Sequence, residues 1–412
     1  MEDPLSRLCK PLLTDGAAKT NLWLDGMPMY SCPAQWMLEN PDRVQKLQRR
    51  FLQAGSQLLC TPTAQADADS LKQWDQQQNS DDYNERLARL TVESCREANP
   101  HALAAGVIAP LQLQAEPFGE TPFFDLINLY ARQAFALKRG GVDLLLADTM
   151  TTLSQSRVAI LGCRQTGLPV MVTMNVEEDG ETCMGSDLVS ALITCQKLGA
   201  VAFGLSCCDR PEKLYGHIEE IAPYAKVPII VRPRAGEDFD KLLSPQEMAE
   251  QMKGLLQRGA TILGGCCYTS PEHIEAIGQM MQTFDFSAVR RQREDEDTIL
   301  MAGATEPYFL DEYFEQTEPV YCRRDMSDEL LELEESGADV ATIRIETVDD
   351  AYNFALNAHM LHMPVSFYSD SEEALEARRL LKFLDYFLGV DSGGVPGNSL
   401  IREFIGGSCF NV

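Results

Sequence analysis

No run within the 412 residues approaches the ~18 consecutive apolar positions that a membrane-spanning helix needs. The amino terminus, Met1-Glu2-Asp3-Pro4, has neither the basic stretch nor the apolar segment of a secretory signal. These two absences make the cytoplasm the expected location. Positive charge is scarce as well: 35 Lys and Arg face 62 Asp and Glu, a formal charge of -27. Nucleic acids and anionic membranes require a basic surface, so neither is expected as a partner. Such acidity serves solubility, with a basic partner protein as the alternative reading. The one short basic cluster, Arg290-Arg291-Gln292-Arg293, is offset at once by Glu294-Asp295-Glu296-Asp297 and reads as a solvated linker. Histidine is rare. His359 and His362 are three apart on one expected helix face, with no carboxylate or cysteine beside them, and read as surface groups.

What the chain has in quantity is apolar residues, 45% of the total, enough for a substantial core. The length suits one large α/β barrel with an appendage, or two to three ordinary domains. Cysteine is abundant at 13 residues. An odd number without a secretory signal argues against a disulfide framework. Cys60, Cys163 and Cys195 lie in apolar periodic stretches and read as small buried hydrophobes. The adjacent pairs Cys207-Cys208 and Cys266-Cys267 need another explanation.

Short apolar runs alternate with helical patterns as far as residue 285. Strands are expected over 11–15, 56–63, 103–110, 142–148, 169–175, 200–206, 227–233 and 260–265. Most are rich in Val, Ile, Leu or Ala, as parallel strands buried on both faces are. Helical periodicity fills segments such as 187–198 and 244–258. Eight such units over about 280 residues match a (β/α)8 TIM barrel, assigned to 1–290; an open doubly wound sheet is the alternative. Ser244-Pro245-Gln246-Glu247 is a capping box with proline at the first helical position. Ser270-Pro271-Glu272 and the stretch from Asp209 to Glu212 are further helix starts. Both cysteine pairs therefore fall between a strand's carboxyl end and the next helix, the catalytic face of a barrel. From 296 to 412 the pattern restarts as a small α/β appendage, with strands over 339–346 and 364–369 and helices over 348–361 and 371–388.

Zinc favours thiolate ligands in a tetrahedral shell, and catalytic sites keep one position open. Cys207 follows the expected sixth strand and Cys266-Cys267 the eighth, and these flank the seventh, so their ends can converge on one ion. Gly264-Gly265 lets the backbone bend enough for two successive cysteines to face one point. Such a site would deprotonate an incoming thiol, whose free pKa is near ~8.5, and hold its sulfur as a nucleophile. Structural cysteines or a redox couple are the competing readings of the two pairs.

Gly264-Gly265-Cys266-Cys267, followed by Pro271-Glu272-His273-Ile274, resembles the zinc motif of the homocysteine S-methyltransferases. The stretch Gly204-Leu205-Ser206-Cys207 is similar to that family's Gly-x-Asn-Cys and assigns the first ligand to Cys207 rather than Cys208. The resemblance covers about residues 10–285. It implies a (β/α)8 barrel, Zn2+ on Cys207, Cys266 and Cys267, and methyl transfer to homocysteine to give methionine. Other landmarks are present in altered form. The Asp-Gly-Gly-x-Gly-Thr opening appears as Asp15-Gly16-Ala17-Ala18-Lys19-Thr20, and the Glu-Thr pair that holds the substrate's amino group as Asp148-Thr149. The Pro-Asn-Ala-Gly stretch is similar to Pro233-Arg234-Ala235-Gly236. By resemblance Asp15, Gly16, Asp148 and Thr149 bind substrate, and Arg234 is expected to contact a carboxylate or an anionic donor.

These departures gather where the amino-acid part of the substrate lies, so a related thiol is the alternative acceptor. The chain has no Asp-x-His-x-x-Gly signature of a cobalamin module and no Gly-x-Gly-x-x-Gly loop. The donor is then a small molecule or a methylated corrinoid protein acting in trans. Two further readings stay open. One is a barrel using Asp148 or Asp15 for acid–base chemistry; the other is a metal-binding barrel that has lost catalysis.

Overall fold

The computed structural model describes residues 3–115, 118–237, 241–289, 298–303, 305–311 and 313–368. The expected helix over 371–388, the loop beyond it and the charged linker at 290–297 lie outside these residues.

Eight parallel strands form one sheet: β1 Leu12–Leu13, β2 Leu58–Cys60, β3 Leu103–Ile108, β4 Leu144–Met150, β5 Val170–Met174, β6 Ala202–Ser206, β7 Ile229–Arg232 and β8 Ala260–Leu263. From β2 to β8 each strand pairs with the next in sequence, and β1 pairs with β8 through Leu12↔Ile262 and Leu13↔Leu263. A parallel bridge between Thr14 and Leu58 brings the first strand against the second, so the sheet rolls up as a (β/α)8 TIM barrel. Side chains alternate across each strand. Leu12, Leu58, Val107, Leu146, Met171, Ala202, Ile230 and Ile262 fill the barrel interior, while Leu13, Leu59, Leu145, Val172, Phe203 and Leu263 pack outward under the helices.

That alternation fixes the site. Two residues beyond an interior apolar side chain stand Asp148 after Leu146, Thr173 after Met171 and Arg232 after Ile230, and Ser206 has the same parity four residues after Ala202. The uppermost interior layer is therefore polar, at the carboxyl ends of the strands. The capping box at Ser244 forms as expected: Ser244 N–H donates to Glu247 Oε2 (2.8 Å) and Glu247 N–H to Ser244 Oγ (3.3 Å). It starts the helix Pro245–Gln257.

Beyond the barrel, β9 Ile299–Ala302 and β10 Pro307–Leu310 make an antiparallel pair. Leu300 and Ala302 join the barrel's outer core, and Asp187 N–H donates to Thr305 O (2.7 Å). A parallel sheet of β11 Val320–Tyr321, β12 Ala341–Arg344 and β13 Val365–Tyr368 follows, with the helices Ser327–Glu335 and Val348–Asn357. Its own core holds Leu330, Ile343, Phe354 and Val365. No helix among the described residues is long and apolar enough to cross a membrane.

Candidate metal and substrate site

Cys207 is the first residue after β6, and strict alternation would aim its side chain outward. Instead its φ is 60°, a left-handed conformation that costs a non-glycine residue about 1–3 kcal/mol. Two hydrogen bonds hold it there. Cys207 N–H donates to Arg232 O (3.0 Å), and its carbonyl accepts from Arg234 Nε (2.7 Å). Cys208 turns away: its thiol points to Met174 O (3.6 Å) and its sulfur accepts from Val176 N–H (3.5 Å).

The loop after β8 brings the other two sulfurs. Gly264 N–H bonds Val231 O (3.1 Å), Gly265 N–H bonds Asp15 O (3.0 Å) and Cys266 N–H bonds Pro233 O (2.9 Å). The loop is thus stitched to the strands on both sides. Glycine is required by space: a Cβ at Gly264 would lie 1.8 Å from Thr14 Oγ1. His273 of the Pro-Glu-His-Ile stretch is buried, with Nδ1 2.9 Å from Ser270 Oγ and Nε2 2.8 Å from Leu243 O. It anchors the helix Pro271–Thr283 behind the loop and is not a metal ligand.

As a result the sulfurs of Cys207, Cys266 and Cys267 all lie within 4.8 Å of one another, with Cys207 3.3 Å from Cys267. Tetrahedral zinc with thiolates at ≈2.3 Å would space its sulfurs by roughly 3.8 Å, so the cluster fits such an ion. Hydrogen bonds from the Cys266 and Cys267 thiols hold Cys207 well below the ordinary thiol range. The same contacts push Cys266 and Cys267 up. Cys266 and Cys267 face a cavity of about 790 Å3 lined also by Asp15, Gly16, Asp148, Thr149 and Arg232. That volume is typical of a small-molecule site.

The cavity also holds a buried charge cluster. Arg232 Nη1 lies 3.0 Å from Asp148 Oδ2, and Nη2 lies 3.6 Å from Asp15 Oδ1. Asp148 Oδ1 accepts from Thr173 Oγ1 (2.7 Å), and Thr173 Oγ1 accepts from Thr149 N–H (2.9 Å). Thr149, like Cys207, is held at a positive φ of 61°. Asp15 Oδ2 accepts Cys60 N–H (2.8 Å), whereas Asp15 Oδ1 has no hydrogen-bond donor. Burial pushes the Asp15 carboxyl up to about 6, against the opposing pull of Arg232.

A family model described as homocysteine S-methyltransferase matches residues 12–281. The chain belongs to the homocysteine S-methyltransferase family. It is similar to methionine synthase of Mycobacterium leprae (strain TN), 28% identical over 253 residues that cover 58% of this chain and 21% of the relative. Methionine synthase of Mycobacterium tuberculosis (strain ATCC 25618 / H37Rv) is 26% identical over 253 residues with the same coverage. The chain therefore spans about a fifth of the length of these curated relatives. In fold it is similar to the homocysteine methyltransferase MmuM of Escherichia coli: TM-score 0.57 at 21% identity, covering 68% of this chain and 99% of that one. The metallated form of MmuM superposes with TM-score 0.55 at 21% identity, covering 66% of this chain and 96% of that one.

Within this homocysteine S-methyltransferase barrel the structure brings together Asp15, Gly16, Asp148, Thr149, Cys266 and Cys267 around one cavity, with Cys207 beside the two cysteines. Arg234 instead directs its Nε to the Cys207 carbonyl and braces that turn. Sequence reading missed Arg232. A charged residue closing the otherwise apolar run 227–233, at the interior parity, was the available signal.

Proposed function

We propose that this chain transfers a methyl group to the sulfur of homocysteine, producing methionine, with Zn2+ held by Cys207, Cys266 and Cys267. The observation that carries this reading is the convergence of three sulfurs, within 4.8 Å of one another, at a cavity that Asp15 and Asp148 also line. The existence of a metallated form of a protein of the same fold supports it. Zinc bound there would supply a Lewis acid that keeps the acceptor sulfur in its anionic, nucleophilic form. The chain's residues supply the positioning. Asp15 Oδ1, which has no hydrogen-bond donor of its own, and Asp148 receive the acceptor's ammonium. Gly16 lets the turn after β1 pack against Thr269, where a Cβ would lie 2.6 Å from its carbonyl oxygen, and Thr149 closes the wall. The sulfur then forms a bond to the methyl carbon while the carbon–carrier bond breaks in line, and the electron pair departs with the carrier. We assign the reaction to the barrel over 1–290, the segment 296–412 to an appendage, and the protein to the cytoplasm.

The test is methionine formation by the reduced, zinc-loaded full chain from homocysteine and a panel of methyl donors, with small molecules and a methylated corrinoid protein as separate arms. Activity that disappears in the Cys207→Ser, Cys266→Ser and Cys267→Ser variants is expected; a zinc-loaded protein inert with every donor overturns the reading. A related thiol is the second reading for the acceptor. It is favoured by Arg232, which already engages both carboxylates. A panel of thiols lacking the amino or the carboxylate group separates the two.

A further inference from the structure

We propose that Arg234 is a positioning residue for the acceptor sulfur: its guanidinium draws on the Cys207 thiolate from outside the ligand set, which tightens acceptor binding and tempers the acceptor's nucleophilicity. This rests on the methyl-transfer reading above and adds to that site a residue that acts through a metal ligand.

The stretch Pro233-Arg234-Ala235 runs between the two cysteine loops and is bonded to both. Pro233 O accepts from Cys266 N–H (2.9 Å), Ala235 N–H donates to Cys267 O (3.1 Å), and Arg234 N–H donates to Asp209 O (3.1 Å). The Arg234 backbone is therefore fixed, and its side chain returns to Cys207. Nε donates to the Cys207 carbonyl at 2.7 Å, and the guanidinium also hydrogen-bonds the Cys207 sulfur. A planar fork of donors lets one side chain serve both atoms, and its charge is permanent. Among the described residues no carboxylate pairs with Arg234. Burial opposes its charge, and the sulfurs of Cys207, Cys267 and Cys266 favour it. The related stretch of the family, Pro-Asn-Ala-Gly, has a neutral amide at this place.

Three cysteine thiolates and an acceptor thiolate outweigh the two charges of Zn2+, so the loaded site is anionic. A cation hydrogen-bonded to one of the ligands stabilises that state. It also makes Cys207 a weaker donor than an unbonded thiolate, which is how the outer partners of a ligand tune a metal site. The acceptor sulfur is then held more strongly, and the same pull lowers its readiness to attack carbon. Affinity and nucleophilicity therefore move in opposite directions. A side chain that only braced the Cys207 turn would move them together, since its loss would loosen the metal and weaken every step.

Two substitutions separate charge from brace. Arg234→Gln puts an amide nitrogen where Nε stands, so it can keep the bond to the Cys207 carbonyl while the charge is lost. Arg234→Lys keeps the charge without that bond. Homocysteine binding to the zinc-loaded full chain is measured by calorimetry without a donor, and methyl transfer gives kcat and KM separately. The Co2+-substituted proteins, with and without homocysteine, report the sulfur-to-cobalt charge-transfer band. Arg234→Gln should weaken homocysteine binding by about tenfold, leave kcat at or above wild type and move the band to lower energy. Arg234→Lys should restore most of the affinity and return the band towards its wild-type position. Arg234→Asn replaces Arg234→Gln if the latter does not fold. Wild-type affinity and an unmoved band in Arg234→Gln overturn the proposal, as does a kcat that falls in step with the affinity. The band of the protein without homocysteine needs neither acceptor nor turnover. Failure of methylation with every donor would therefore sink the proposed reaction, while the band still decides the role of Arg234.

Discussion

Arg232 Nη1 sits 3.0 Å from Asp148 Oδ2, deep in the mouth of the barrel. The two residues close β7 and reach the end of β4, strands that are not neighbours, so their contact spans the barrel interior. Removing one member leaves a buried charge with only the longer contact to Asp15. Asp148→Ala should destabilise the protein by about 3–5 kcal/mol. Urea unfolding measures this, and a loss below about 1 kcal/mol would show that water, rather than Asp148, satisfies the guanidinium.

The neighbouring cysteines 207 and 208 should differ sharply in their effect on metal. Only Cys207 shares the sulfur cluster, whereas Cys208 faces backbone groups of residues 174 and 176. Zinc content after dialysis should collapse in Cys207→Ser and stay near wild type in Cys208→Ser. Equal loss from both variants would contradict the ligand assignment.

Acceptor affinity should depend on pH through Asp15. Its folded pKa of about 6 exceeds the ordinary 3.8 because burial disfavours the carboxylate. The ionised form, which an ammonium needs, therefore prevails only above about pH 6. Methionine carries the ammonium without a titrating thiol. Its affinity should fall as pH drops through 6, and Asp15→Asn should flatten that dependence. For stability the sign is opposite. The charged, buried Asp15 costs folding free energy above pH 6, and that cost fades as pH falls from 6 towards 3.8. A methionine affinity independent of pH between 5 and 7, by titration calorimetry, would remove Asp15 from the ammonium site (a window set by the folded pKa of about 6).

Gly264→Ala tests how tightly the loop carrying Cys266 and Cys267 is built. The added Cβ would meet Thr14 Oγ1 at 1.8 Å, and relieving that clash moves either β1 or the cysteine loop. A cost of about 1–3 kcal/mol is expected, together with weaker zinc binding in a chelator competition. Wild-type zinc affinity in a destabilised variant would mean that β1 moves and the loop does not.

Much of this architecture is legible in the chain. The apolar runs locate all eight barrel strands, because strands buried on both faces must be apolar. Boundaries are blurred where polar residues enter: β1 narrows to Leu12–Leu13, and β4 continues through Asp148 and Thr149 to Met150 across a register shift. The cysteine set is readable as motif. The reason for Cys207 rather than Cys208 is not, since it lies in a left-handed φ that only the surrounding hydrogen bonds enforce. Arg232 was hidden for a related reason. Its partners come from β4 and from the turn after β1, and only barrel closure brings them together. The β9–β10 pair and β11 are short and weakly patterned, and they appear only in three dimensions.

The ligand shell itself is the most direct test. X-ray absorption at the zinc K-edge on the reduced, zinc-loaded chain should show three sulfurs and one lighter atom, changing to four sulfurs when homocysteine is added. A shell with fewer than three sulfurs, or one unaltered by homocysteine, would contradict thiol activation at Cys207, Cys266 and Cys267.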